Sequence, residues 1–126
     1  MAVLDSTFLI ALERGAASAL ARFKELKEQR EPMRIPAATW VEYLSSFPPA
    51  SRAKASRILE ESAIFEPFTR SLADDAARIQ FELRREGKTL GWHDLQIAAT
   101  ALAHNESLVT ADAGFGIVPG LDVVTH

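Results

Sequence analysis

Four carboxylates occupy positions from which they could do chemistry together: Asp5, Glu42, Asp94 and Asp112. Asp5 closes the apolar run Ala2-Val3-Leu4, and Asp112 lies just past Ser107-Leu108-Val109-Thr110. Both runs read as short buried strands, and an acid closing such a strand is usually paired or functional. Asp94 opens an alanine-rich helical segment, and Glu42 sits inside the helix that starts at Ala37. Convergent carboxylates repel, and each pair raises one partner's pKa unless a cation lies between them. Hard oxygen donors in that number suit Mg²⁺ or Mn²⁺, and no cysteine is present to favour a softer metal. A site of this kind activates water and stabilises the charge that builds on a phosphodiester as it breaks, so phosphodiester hydrolysis is the chemistry that fits.

For these acids to meet, strand ends and helix starts must lie at one edge of a sheet. Ser6 or Thr7 is placed to cap a first helix through Phe8-Leu9-Ile10-Ala11-Leu12, which Gly15 breaks. A second helix over 16–29 carries Leu20, Phe23 and Leu26 at helical spacing. Met33-Arg34-Ile35-Pro36 reads as a strand, and the following helix with Glu42 stops before Pro48-Pro49. Residues 50–62 form another helix with Ala55, Ile58 and Leu59 on one face, and 63–68 a strand closed by its proline. Ser71 is placed to cap the next helix, with Asp74 and Asp75 in its first turn and Leu72, Ala76, Ile79 and Leu83 as its buried stripe. Gly91-Trp92-His93-Asp94 leads into the helix Leu95-Gln96-Ile97-Ala98-Ala99-Thr100-Ala101, and Leu121-Asp122-Val123-Val124-Thr125 is a last strand. Strands alternate with helices, which predicts one α/β domain over 1–126 with three α/β/α layers and a mostly parallel central sheet. In such a sheet ligands bind beyond the carboxyl ends of the strands, where Asp5 and Asp112 fall.

With 126 residues, 48% hydrophobic and 25% charged, the chain has ordinary globular composition for a single core. The net charge of -3 does not announce a nucleic-acid partner, but its distribution is uneven. Every Lys and Arg lies between Arg14 and Lys88, and the segment from Thr89 to His126 holds only the acids Asp94, Glu106, Asp112 and Asp122. No run approaches the ~20 apolar residues of a membrane span, and the short run after Asp5 lacks the basic residues of a signal peptide. A soluble, cytoplasmic protein without membrane association is expected.

The ordered pieces Leu4-Asp5-Ser6-Thr7, Glu42-Tyr43-Leu44, Asp94-Leu95-Gln96-Ile97-Ala98-Ala99-Thr100-Ala101 and Leu108-Val109-Thr110-Ala111-Asp112 resemble the pattern of the PIN-domain family. The resemblance spans essentially the whole chain and lies nearest the VapC-type toxins of prokaryotic toxin–antitoxin pairs. It implies a PIN-like fold and an endoribonuclease that cuts RNA, with Asp5, Glu42 and Asp94 as the core metal-binding and catalytic acids. Asp112 takes the fourth position, where the family has Asp or Asn. Thr110 matches a motif threonine that supports the acids through its hydroxyl, and Ser6 matches the hydroxyl residue after the first acid. Mg²⁺ or Mn²⁺ as cofactor, a small antitoxin partner and a homodimer are implied in the same way. Family members often carry a further acid soon after the fourth position; Ala113-Gly114-Phe115-Gly116 is neutral, so the resemblance does not extend to a second metal.

Other readings are weaker. A non-catalytic PIN-fold module binding RNA or protein would be expected to have lost some of the four acids. A phosphatase of the haloacid-dehalogenase type needs a second Asp two residues after the first, and position 7 is Thr. His93 is read as a surface or loop residue, and Trp40, Trp92 and Phe47 as core or interface packing rather than base-stacking surfaces. The segment Gly114-Phe115-Gly116-Ile117-Val118-Pro119-Gly120 has the wrong spacing for a dinucleotide loop, with Pro119 where a phosphate-binding helix would begin.

Overall fold

Short, apolar, β-branched runs pair into a sheet because their alternate side chains can be buried on both faces at once. In the computed structural model, which describes residues 1–125, the strands are β1 (Ala2–Leu4), β2 (Met33–Pro36), β3 (Ile64–Glu66), β4 (Ser107–Thr110) and β5 (Val123–Thr125). The strand order is β3-β2-β1-β4-β5, and every pairing is parallel. His126, the last residue of the expected domain, lies outside the described residues.

The helices are α1 (Ser6–Glu13), α2 (Ala17–Glu28), α3 (Ala37–Leu44), α4 (Pro49–Ser62), α5 (Arg70–Arg85) and α6 (Trp92–His104). They cover the sheet on two sides. Leu4, Ile35 and Val109 point into a core with Phe8, Leu26 and Leu59, whereas Val3 and Leu108 point into a second core with Ile79, Leu83, Leu95 and Ile97. The expected three layers are therefore present, and their alanines let α6 lie close: Ala98, Ala99 and Ala101 are fully buried. No helix among the described residues is long and apolar enough to cross a membrane.

Several boundaries differ from expectation for identifiable reasons. The first helix starts at Ser6, with Asp5 at the capping position and no capping side-chain bond, because the hydroxyls of Ser6 and Thr7 are engaged elsewhere. Thr69, not Ser71, caps α5 by accepting from the Leu72 amide, so Asp74 and Asp75 fall beyond the first turn. Leu20 and Ile58 are 49% and 52% exposed, since Ala19 and Leu59 take the inward positions of their helices. Trp92 begins α6 and is 69% exposed, so it does not join the core. A short 3-10 helix, Ala113–Ile117, follows β4 and sets Phe115 into the core.

Candidate active site

The strand order reverses about the β1–β4 pair: the chain proceeds outward through β2 and β3, then crosses back to β4. A crevice forms at such a switch point, beyond the carboxyl ends of the strands. Asp5 stands at the end of β1 and Thr110 at the end of β4, with Leu4 paired to Val109 one step below. Asp5 is only 2% exposed and Thr110 is fully buried.

Two hydroxyls secure Asp5. Thr110 Oγ1 and Thr7 Oγ1 each donate to Asp5 Oδ2 at 2.7 Å. Each hydroxyl in turn accepts a backbone N–H at 2.9 Å, Thr7 from Ala111 and Thr110 from Asp112. With both protons committed to Asp5, the 3.1 Å contact between the two hydroxyls is proximity rather than a further bond. The turn after β4 is thereby tied to the end of β1 by two parallel relays. The supporting part expected of Thr110 is a direct bond to Asp5. Thr7 was overlooked because a threonine just after a strand reads first as a helix cap; its signal was a second hydroxyl two residues beyond a buried acid.

Glu42 projects from α3, whose start is anchored when buried Thr39 donates to the Leu4 carbonyl at 2.9 Å. Ser6 Oγ reaches Glu42 Oε2 at 3.4 Å, so the expected helper hydroxyl serves Glu42 rather than Asp5. Glu42 Oε1 is buried without a hydrogen-bond partner; the nearest cationic candidate, His93 Nδ1, lies 3.8 Å away. His93 is exposed, as expected, but it belongs to the first turn of α6 rather than to a loop.

Asp94 also lies in the first turn of α6, where the helix dipole favours an acid. Burial nonetheless pushes its carboxyl above the usual aspartate value, the charges of Asp5, Asp112 and Glu42 add to the push, and His93 opposes it. Asp112 is exposed and serves its own turn, with Oδ1 accepting from the Gly114 amide at 2.8 Å. A Cβ at Gly114 would stand 3.0 Å from that oxygen, so glycine there leaves room for the carboxylate.

Asp94 thus feels the charges of the other three acids, but the four do not form a finished coordination sphere. Among the described residues, no three acidic or histidine side chains are close enough to hold an ion as they stand. Like charges without a counter-ion keep their distance. The donor set suits a hard divalent cation: carboxylate oxygens, one of them buried without a hydrogen-bond partner, and, among the described residues, no Lys or Arg bonded to any of the four.

An open parallel sheet with helices on both faces and acids at its switch point defines the class: a three-layer α/β domain. The family model for the PIN domain matches residues 2–121, and the chain belongs to that family. It is 30% identical to Ribonuclease VapC1 of Rickettsia felis, over 98% of this chain and 94% of that protein. A chain of the VapBC2 structure from Rickettsia felis bound to a DNA fragment from their promoter superposes with a TM-score of 0.84 at 20% identity, covering 99% of this chain and 98% of that one. A chain of a toxin–antitoxin complex from Klebsiella pneumoniae superposes at 0.77 with 25% identity, covering 99% and 97%.

Proposed function

We propose that this PIN domain is a divalent-metal-dependent endoribonuclease and the toxin of a toxin–antitoxin pair. The observation that carries the reading is acid charge at the switch point that, among the described residues, exposed His93 alone offsets: Glu42 Oε1 is buried without a hydrogen-bond partner, beside an Asp94 carboxyl pushed up by burial and by three other acids. A purely structural cluster would be neutralised by protein cations. Asp5, Glu42, Asp94 and Asp112 are the residues that would hold Mg²⁺ or Mn²⁺, which when bound supplies charge neutralisation and a more acidic water. Thr7 and Thr110 orient the Asp5 carboxylate by donating to it, Ser6 donates to Glu42, and Gly114 leaves the Asp112 carboxylate room.

RNA as substrate is supported by the relative named as a ribonuclease, and a small antitoxin partner by the toxin–antitoxin complex with the same fold. An apolar hollow of about 260 Å³, lined by Leu9, Leu12, Phe23, Tyr43 and Ile58, supports a protein partner on the α1–α4 side. A homodimer and a cytoplasmic location complete the proposal.

The test is incubation of purified, antitoxin-free protein with total RNA and Mg²⁺ or Mn²⁺. Discrete fragments are expected, lost in EDTA and reduced at least ~10²-fold by Asp5→Asn, a loss comparable to removing one charge-stabilising group from an active site. Absence of cleavage with either metal and every RNA pool would leave the non-catalytic binding module.

A further inference from the structure

A large exposed indole beside an active site calls for an explanation that core packing cannot give. Trp92 is the first residue of α6, 69% exposed and two positions before Asp94. It lines a groove of about 290 Å³ at the seam of α5 and α6, together with Phe68, Ala76, Arg84, Leu95 and Gln96. The arginines of α5 are not equivalent. Arg70, Arg78 and Arg85 each have a carboxylate within 4.0 Å, at Asp74, Asp75 and Glu82 respectively. Arg84, the one facing the groove, has no hydrogen-bond or ion-pair partner among the described residues.

We propose that this groove binds one unpaired nucleotide of the RNA, its base stacked on Trp92 and its phosphate facing Arg84. The proposal rests on the ribonuclease reading and adds a contact for one nucleotide outside the acid edge, at side chains that the four acids do not touch. An indole stacks on any base whose face is free, and in a duplex both faces are covered by neighbouring bases. A guanidinium without a carboxylate partner complements a phosphate. Trp92 and Asp94 share the first turn of α6 but, two residues apart, point to different sides of it, so a strand stacked at the groove would pass around the helix start to reach the acids. Self-association through the same face fits less well, because a two-fold contact would bury the same unpaired guanidinium twice.

The experiment uses the Trp40→Phe protein, in which Trp92 is the only indole left. A short mixed-sequence single-stranded RNA is expected to quench its fluorescence, and the same sequence annealed to its complement to do so at least tenfold more weakly. By anisotropy of labelled single-stranded RNA, Trp92→Ala should weaken binding about tenfold and Arg84→Gln about threefold, while Trp92→Phe stays near the parent. Unchanged affinity in Trp92→Ala, or quenching by duplex as strong as by single strand, overturns the groove while cleavage by the parent still upholds the nuclease. A drop in sedimentation coefficient in Trp92→Ala also overturns it, in favour of a contact between two copies. Quenching and the tenfold loss in a protein that cuts no RNA would uphold the groove and sink only the nuclease.

Discussion

The two ends of α6 handle buried acid in opposite ways. At its start, Asp94 faces Asp5, Glu42 and Asp112, with only the exposed His93 to offset them. At its finish, Asn105 adopts a left-handed conformation with φ 53°, the Glu106 amide bonds back to the Ala101 carbonyl, and the Glu106 side chain turns inward. There Arg34 donates from Nε to Glu106 at 2.7 Å and from a terminal nitrogen to Glu66 at 3.1 Å, and His104 meets Glu66 at 2.9 Å. The hydrogen bond to Glu106 raises the Arg34 pKa against the opposing cost of burial, and Glu66 raises it further. One cluster brings its cation in the sequence and holds the sheet to the helix. Glu106 Oε2 and Glu42 Oε1 are both buried without a hydrogen-bond partner, but Arg34 balances the charge of the first cluster, whereas among the described residues no Lys or Arg meets the second.

Removing the cation from the balanced end should have the largest effect on stability. Arg34→Met leaves the Glu106 side chain, 2% exposed, without its partner, and a loss of about 3 kcal/mol is expected in urea unfolding. Cleavage per folded molecule should stay as in the parent; a mutant as stable as the parent would mean that the network is idle. Next in size is Thr110→Val, which removes a buried hydroxyl from Asp5 and an acceptor from the Asp112 amide, at roughly 1.5–3 kcal/mol. Thr7→Val should act in the same direction by less, about 1 kcal/mol, and the pair should be non-additive if both relays serve one carboxylate. Independent additive losses would break that reading.

The smallest effect has the opposite sign. Because the Asp94 carboxyl is pushed up, its ionised form is penalised in the fold. That penalty is complete above the raised pKa, shrinks as pH falls through it, and is gone below the ordinary value of 3.8. Asp94→Asn should therefore melt higher than the parent at pH 7 in EDTA, on the order of a degree or two, with the gap closing on acidification. Equal melting at every pH would show that the acids do not strain the metal-free fold. The same substitution should abolish cleavage, so stability would rise as activity is lost at one end of α6, whereas at the other stability falls with activity per folded molecule unchanged.

Much of this arrangement was legible in the residues. Pro36 separates β2 from α3 where expected, because proline ends the ladder and starts the helix in one step. The stripe Leu72, Ala76, Ile79 and Leu83 is buried as its spacing requires. What could not be read was the destination of short hydroxyls. Ser6, Thr7 and Ser71 all look like caps in sequence, and only the folded chain shows that Thr69 caps in place of Ser71 while Thr7 binds Asp5 and Ser6 binds Glu42. The exposure of Leu20, Ile58 and Trp92 was hidden for a related reason, since helical spacing names a face without saying how wide a strip of it is covered. The 3-10 segment after Asp112 carried no periodic signal at all.

The register of β1 sets when the domain comes into being. Ala2 pairs with Met33 on one side and with Ser107 on the other, so the first strand to be synthesised waits for nearly the whole chain before its second edge is filled. Contacts so distant in sequence close late in folding. A chain ending before β4 carries Asp5, Glu42 and Asp94 but lacks Asp112 and the Thr110 hydroxyl that bonds Asp5. The acid edge is thus complete only once β4 and the turn after it have joined the sheet.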